Sequence, residues 1–295
     1  GAAGAMSAIW LVSALSLSLS LSPRVGVTRE CAGVLRISRI ALSLAPASPS
    51  AVRIEPDAEA VGKSVFAAVE AAAEAAIAER GSFALAIPGG SILKMLADTA
   101  PEWAAKTTVV YVNHKAVPMD DGALATHAKA TKLFLDKWKG CKTIVMGGTG
   151  DAPAEAEAYE AQLRALPTSV LPRGEDGIPV FDMALIGVGD DGHVGSLYPN
   201  REEVLDDSGR WVLPVEMKTP GSITLSLGVM AGAKEVIIAA CGVSDKYPQG
   251  KSAGMKRAIE GEETLSTFPA AGLRRVATWI IDEAAASKLS VEYRK

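Results

Sequence analysis

The chain has 295 residues, of which 48% are hydrophobic and 22% are charged, so it has ample apolar material for a folded core. The net charge of −4 leaves no basic surface for a phosphate backbone, which argues against nucleic acid as a partner. The three cysteines, Cys31, Cys141 and Cys241, form neither a CxxC pair nor a zinc-type Cys/His spacing. We therefore expect reduced thiols and no structural metal.

Residues 1–50 differ from the rest of the chain. Residues 8–23 are apolar but diluted by regularly spaced serines, and the stretch that follows carries four arginines against the single acid Glu30. This pattern is typical of an organellar targeting presequence, and we expect a plastid as the destination, with a cytoplasmic location as the alternative. A membrane anchor is the competing interpretation. A spanning helix needs about 20 mainly apolar residues, so we expect no stable anchor here.

From residue 51 the pattern alternates between helix and strand, which predicts one domain over residues 51–295. The first helix is expected to begin after an N-cap at Asp57 and to stop at Gly81. A second helix is expected to begin at Ser91, and a third to cover 153–166. The apolar face of the first helix is predicted to comprise Val61, Val65, Val69, Ala72, Ala76 and Ile77.

The predicted strands are mostly continuous apolar runs, as expected for a sheet that is covered on both faces. This predicts an α/β fold: a three-layer α/β/α sandwich with a Rossmann-like, mainly parallel sheet. The strands are expected within 83–90, 107–113, 142–148 and 181–189 and in the segments "ITLSLG" and "EVIIAACG".

Two glycine loops follow predicted strands, where ligands gather in open α/β sheets. In "IPGGS", Gly89 and Gly90 allow close backbone approach, and Ser91 is expected to cap the next helix, whose positive end would attract an anion. The rival loop, "MGGTGDAP", carries Asp151, whose charge would compete with a phosphate. Either loop would also serve as an ordinary turn.

The segment "LIGVGDDGHVGSLYPN" (185–200) holds one of the three histidines, His193, just beyond a predicted strand. Histidine is the usual general base near neutral pH, and Asp191, two residues away, is placed to orient it. The competing interpretation is that Asp190 and Asp191 shape a turn and that His193 is a surface residue.

The segment "FDMALIGVGDDGHVGSLYPN" closely resembles the Gly-x-Gly-x-Asp-Gly-His and Ser-Leu-(aromatic)-Pro motif of the 6-phosphogluconolactonase family. The segments "FALAIPGGSILKML", "VVYVNHKAVPMDD", "YEAQLRAL" and "ITLSLGVMAGAKEVIIAACGVSDK" follow the order of that family, so that the resemblance covers roughly residues 52–290. Glucosamine-6-phosphate deaminases share the fold and the Asp-Gly-His, but "GSLYP" is similar to the lactonase continuation.

The chain also departs from the family pattern. Asn113, His114 and Lys115 stand where the family usually has Asp-Glu-Arg, and Ser222 replaces the arginine that is expected before "ITL". The family's Ser-Asn downstream of "VP" and its asparagine after "ITL" are also missing from this sequence. Lys246 stands where the family carries a lysine after its Thr-Gly.

The resemblance implies hydrolysis of 6-phospho-D-glucono-1,5-lactone to 6-phosphogluconate, a step of the oxidative pentose phosphate pathway, without metal or organic cofactor. It implies that His193 is the base and that Asp191 orients it. Substrate binding is expected from Gly89, Gly90, Ser91, Lys115 and Lys246. Because folds persist when sites decay, a non-catalytic sugar-phosphate-binding or assembly subunit is the alternative. A sugar-phosphate isomerase or deaminase is the third possibility.

Overall fold

A computed structural model describes residues 51–243 and 250–294. The expected presequence, residues 1–50, and Lys246 lie outside this part of the chain.

The strands are β1 (Ala51–Glu55), β2 (Phe83–Ile87), β3 (Thr107–Tyr111), β4 (Asn113–Lys115), β5 (Lys142–Thr143), β6 (Met183–Ile186), β7 (Val212–Val215), β8 (Ser222–Leu225), β9 (Glu235–Ala240) and β10 (Ala277–Asp282). The helices are α1 (Ala58–Arg80), α2 (Thr126–Ala130), α3 (Ala152–Ala165), α4 (Leu227–Ala231), α5 (Ser252–Glu260) and α6 (Glu283–Ala286). Among these helices, none is both long and apolar enough to cross a bilayer.

Seven of the described strands form one parallel sheet in the order β1-β10-β9-β6-β2-β3-β5. Every residue of β2, β3 and β6 is buried, as in a sheet that is covered on both faces. The predicted α/β fold with a mainly parallel sheet is therefore confirmed.

Helix α1 begins and ends where its sequence predicts. The Asp57 side chain accepts a hydrogen bond from the Ala60 N–H at 2.8 Å, and Gly81 ends the helix with a φ of 82°. The predicted apolar face is buried except for Ile77, which is partly exposed.

Four details of the elements differ from the sequence-based expectations. The strand expected over 142–148 contains only the two residues of β5, and the strand expected over 107–113 is divided into β3 and β4. Strand β8 belongs to a separate antiparallel sheet of order β4-β8-β7. The expected helix at Ser91 is a short 3-10 helix, Ser91–Leu96.

Strands β6, β2 and β3 are neighbours at the centre of the parallel sheet. Because parallel strands run in the same direction, the segments that follow them emerge at the same edge. The loop with His193 follows β6, the loop with Gly89 follows β2, and β4 follows β3. The fold thus brings the three predicted site segments to one edge of the sheet.

Candidate active site

The loop after β6 is a tight turn that returns on itself. The Gly189 N–H donates to the His193 carbonyl at 2.9 Å, and Val188 and Val194 form an antiparallel bridge. Gly192 has a φ of 85°, which favours glycine. A Cβ on Gly189 would lie 2.1 Å from Nδ1 of His193, so this position has no room for a side chain. The glycines of the motif are therefore required to fold the loop around the imidazole.

His193 is held by Asp191. Nδ1 of His193 lies 2.6 Å from Oδ1 of Asp191, which also accepts the His193 backbone N–H at 3.1 Å. Burial acts to raise the pKa of Asp191, but the hydrogen bonds and charge of His193 outweigh it and hold this pKa below its ordinary value. The ionised carboxylate favours the tautomer with a proton on Nδ1, which leaves Nε2 as the nitrogen that can act as a proton acceptor.

Tyr198 covers part of the same imidazole. The ring centroids of His193 and Tyr198 are 4.8 Å apart, with the planes inclined by 36°. Lys218, from the loop between β7 and β8, donates from Nζ to the Tyr198 hydroxyl at 3.1 Å, and its Nζ lies 4.3 Å from the centre of the ring. The Tyr198 ring therefore contacts both the imidazole and an ammonium group.

The Gly89 loop approaches the His193 loop through Asn113. The Asn113 Oδ1 accepts the Gly89 N–H at 3.4 Å, and its Nδ2 donates to Oγ of Ser196 at 3.2 Å. Gly90 has a φ of 90°, and a Cβ on Gly89 would meet Oγ1 of Thr126 at 3.0 Å. The first residue of β4 therefore connects the two glycine-containing loops of the site.

Ser91 does not have the role that its sequence context predicts. Gly90, not Ser91, precedes the 3-10 helix, and no side-chain hydrogen bond caps it. The helix has six residues and is not an α-helix, so the expected α-helical N-terminus is absent at this position. Ser91 is nevertheless exposed beside Gly90 at the sheet edge that carries the site.

The other two residues of β4 have different surroundings. His114 is 1% exposed, its Nδ1 lies 2.7 Å from the Lys115 carbonyl, and its Nε2 accepts the His127 N–H at 3.0 Å. Burial lowers the pKa of His114, which favours the neutral imidazole and a structural role for this side chain. Lys115 is partly exposed and donates from Nζ to the Pro220 carbonyl at 3.1 Å. Burial is the main cause that lowers the pKa of Lys115, and the positive charge of Lys218 lowers it further.

In the second glycine loop, 147–150, a carboxylate of the protein accepts hydrogen bonds from the backbone N–H groups. Glu155 of α3 is 2% exposed, and its carboxylate accepts the N–H groups of Gly147 at 2.8 Å and Thr149 at 2.5 Å. Burial acts to raise the pKa of Glu155, but these backbone hydrogen bonds lower it below its ordinary value. Asp151 caps the helix instead of facing a ligand, because its Oδ1 accepts the Ala154 N–H at 3.0 Å. The rival loop is therefore a structural turn.

Comparison with known proteins shows the family to which the chain belongs. Residues 56–281 match the profile of a family described as glucosamine-6-phosphate isomerases/6-phosphogluconolactonase. The chain belongs to this family. It is 31% identical to the 6-phosphogluconolactonase of Rattus norvegicus over 269 residues, covering 85% of this chain and 98% of the relative. It is 28% identical to a protein of Oryza sativa named "Probable 6-phosphogluconolactonase 3, chloroplastic" over 233 residues, covering 73% of this chain and 68% of that relative.

Solved structures show the same fold. The 6-phosphogluconolactonase from Trypanosoma cruzi superposes with a TM-score of 0.68 at 20% identity, over 83% of this chain and 98% of the other. A monomeric glucosamine-6-phosphate deaminase superposes with a TM-score of 0.59 at 18% identity, over 80% of this chain and 99% of the other. Because both functional branches of the family share the fold, the fold alone does not choose between them.

Two lysines near the His193 loop were not identified from the sequence. Lys251 is 8% exposed and donates from Nζ to the Val188 carbonyl at 3.0 Å, so it supports the strand end that carries the His193 loop. The only feature of the sequence that marks Lys251 is its position directly before α5. This feature does not distinguish it from other lysines that precede a helix. Lys218 was missed because only the folded chain brings it against Tyr198, 20 residues earlier.

Proposed function

We propose that the protein hydrolyses 6-phospho-D-glucono-1,5-lactone to 6-phosphogluconate in the oxidative pentose phosphate pathway. The observation that carries this proposal is the 2.6 Å contact between Nδ1 of His193 and Asp191 at the carboxyl end of β6. Relatives named 6-phosphogluconolactonase that are about 30% identical to this chain, over nearly their whole length, support the choice of substrate.

The reaction follows from the orientation of the imidazole. Nε2 of His193 takes a proton from a water molecule as its oxygen attacks the lactone carbonyl carbon, while Nδ1–H stays bonded to Asp191. The C–O bond to the ring oxygen then breaks, and the same proton passes from Nε2 to that oxygen. The products are a carboxylic acid, which ionises at neutral pH, and a hydroxyl group. Asp191 stabilises the imidazolium that exists between the two proton transfers.

The remaining predicted site residues bind the substrate in this proposal. The backbone of Gly89, Gly90 and Ser91 lies along one side, held to the His193 loop by Asn113. Lys115 supplies a cation from β4, and Lys246 is the further lysine that the family resemblance implies. Lysine attracts a phosphate as a point charge, whereas the arginine of the family motif would bind it with a planar pair of donors. Substrate binding is therefore retained with an altered geometry.

Product analysis of the whole 295-residue chain tests this function. The purified protein is incubated in parallel with 6-phosphogluconolactone and with glucosamine 6-phosphate, and 6-phosphogluconate and ammonia are measured after subtraction of spontaneous lactone hydrolysis. We expect only 6-phosphogluconate formation above the background. Ammonia release would support the deaminase branch, and no turnover of either compound would support a non-catalytic binding subunit.

We further propose that residues 1–50 are a transit peptide for a plastid and that residues 51–295 are the enzymatic domain. The arginine-rich, acid-poor composition of residues 24–50 and the relative named chloroplastic support this location. A fluorescent protein fused behind residues 1–55 is expected to enter plastids. A diffuse cytosolic signal from that fusion would contradict the proposal and support the cytoplasmic alternative.

A further inference from the structure

Lys218 is an exposed lysine whose ammonium group is held against Tyr198, the ring beside the proposed base. Its Nζ donates to the Tyr198 hydroxyl at 3.1 Å and lies 4.3 Å from the ring centre, while the Tyr198 ring lies 4.8 Å from the imidazole of His193. An exposed lysine normally samples many rotamers, and ordering it costs conformational entropy. The two contacts with Tyr198 offset part of that cost and hold the ammonium group against the ring that packs beside the imidazole.

Lys115 brings a second ammonium group to the loop that carries Lys218. Its Nζ donates to the carbonyl of Pro220, two residues beyond Lys218 in the chain. The charge of Lys218 contributes to the lowered pKa of Lys115, so the two ammonium groups are close enough to repel each other. Strand pairing places Ser222 opposite Lys115, and this residue adds no charge. An anion bound between the two lysines would relieve their repulsion.

Other lysines of the described residues are neutralised by the protein itself. Lys63, Lys137, Lys234 and Lys256 each form an ion pair with an aspartate or a glutamate. Within residues 51–243 and 250–294, neither Lys115 nor Lys218 has a carboxylate within 4 Å. The Asp191 carboxylate, which also lies beside the imidazole, is bonded to Nδ1 and the backbone N–H of His193. The two lysines are therefore a pair of positive charges that the described fold does not compensate.

We propose that Lys115 and Lys218 together form the subsite for the phosphate group of the substrate, and that Lys218 determines the preference for a phosphorylated lactone over an unphosphorylated one. This inference rests on the proposed function. A phosphate monoester carries nearly two negative charges at neutral pH, which matches two ammonium groups. Tyr198 contacts both Lys218 and the imidazole, so a phosphate bound at this lysine would hold the lactone within reach of Nε2 of His193.

Calorimetric titration with 6-phosphogluconate and with gluconate tests the subsite without relying on turnover. The native chain should bind the phosphorylated acid more tightly. Lys218→Ala should weaken binding of 6-phosphogluconate by about 10-fold or more, since a hydrogen bond to a charged group contributes about 1.5–3 kcal/mol. Binding of gluconate should be unchanged. Lys218→Arg should retain most of the phosphate preference, and Lys115→Ala combined with Lys218→Ala should abolish it.

Lys63→Ala is the matched control, because it removes the same charge from α1, where the side chain is 76% exposed and is paired with Glu59. Equal affinities of the native chain, Lys63→Ala and Lys218→Ala for 6-phosphogluconate would overturn the subsite, and so would an equal loss for gluconate. Lactone turnover by the native chain is recorded separately. If turnover is absent but Lys218→Ala still loses phosphate affinity selectively, the proposed function fails and the anion subsite stands.

Discussion

Asp191→Asn tests whether the charge of Asp191, and not only the shape of the loop, supports the base. Asparagine has the same size, and its Oδ1 can still accept the His193 N–H that Asp191 accepts at 3.1 Å. What disappears is the carboxylate that faces Nδ1 at 2.6 Å. Charge-assisted hydrogen bonds contribute about 1.5–3 kcal/mol and neutral ones about 0.5–1.5 kcal/mol, so the imidazolium loses about 1–2 kcal/mol of stabilisation.

This difference corresponds to a fall in kcat of about 5- to 30-fold. The Asp191 side chain is 49% exposed, so solvent screening favours the lower part of this range. Steady-state hydrolysis of the lactone measures the effect, and Asp190→Asn, which removes an exposed neighbouring charge, is the control. A kcat of Asp191→Asn equal to that of Asp190→Asn would refute the role of the carboxylate.

Three further predictions follow from single contacts. Gly189→Ala should abolish turnover, because its Cβ would lie 2.1 Å from Nδ1 of the base, whereas Gly187→Ala, with open space at the Cβ, should retain it. Glu155→Ala should lower the free energy of unfolding by about 3 kcal/mol or more in urea titrations, because two backbone N–H groups lose a charged acceptor, and the exposed Glu157→Ala should not. The pKa of Glu155 is lower in the folded state than in the unfolded state. The difference in unfolding free energy between the native chain and Glu155→Ala should therefore be largest above about pH 4.5 and should shrink as the pH falls through the folded-state pKa. A difference that does not change with pH would contradict this. Lys115→Ala should raise KM for the phosphorylated lactone and Lys115→Arg should match or exceed the native kcat/KM; unchanged kinetics in both would place Lys115 outside the site.

Local chemistry made some elements predictable. Asp57 and Gly81 mark the two ends of α1, because a carboxylate at the N-cap and a left-handed glycine after the last turn act over a few residues only. The turn around His193 was predictable for the same reason, since the hydrogen bonds within the turn itself join residues that lie no more than four positions apart.

The features that the sequence did not predict depend on contacts between residues that are far apart in the chain. The apolar run from Thr107 looks like one strand, but Asn113 pairs with Thr224, more than a hundred residues later, in a different sheet. Strand propensity depends on such neighbours, so the break between β3 and β4 has no local signal. The capture of a glycine loop by Glu155 and the contact of Lys218 with Tyr198 likewise depend on how helices and loops pack in the folded chain.

The rate of 6-phosphogluconolactone hydrolysis by the native chain and by His193→Ala, each corrected for the spontaneous reaction, tests the central claim most directly. General-base catalysis contributes about 10²–10⁴-fold, so the substitution should lower kcat by about 100-fold or more. The thermal unfolding temperature should stay nearly unchanged, because the imidazole is partly exposed and is not a member of the apolar core. A variant that hydrolyses the lactone as fast as the native chain would contradict the assignment of His193 as the base.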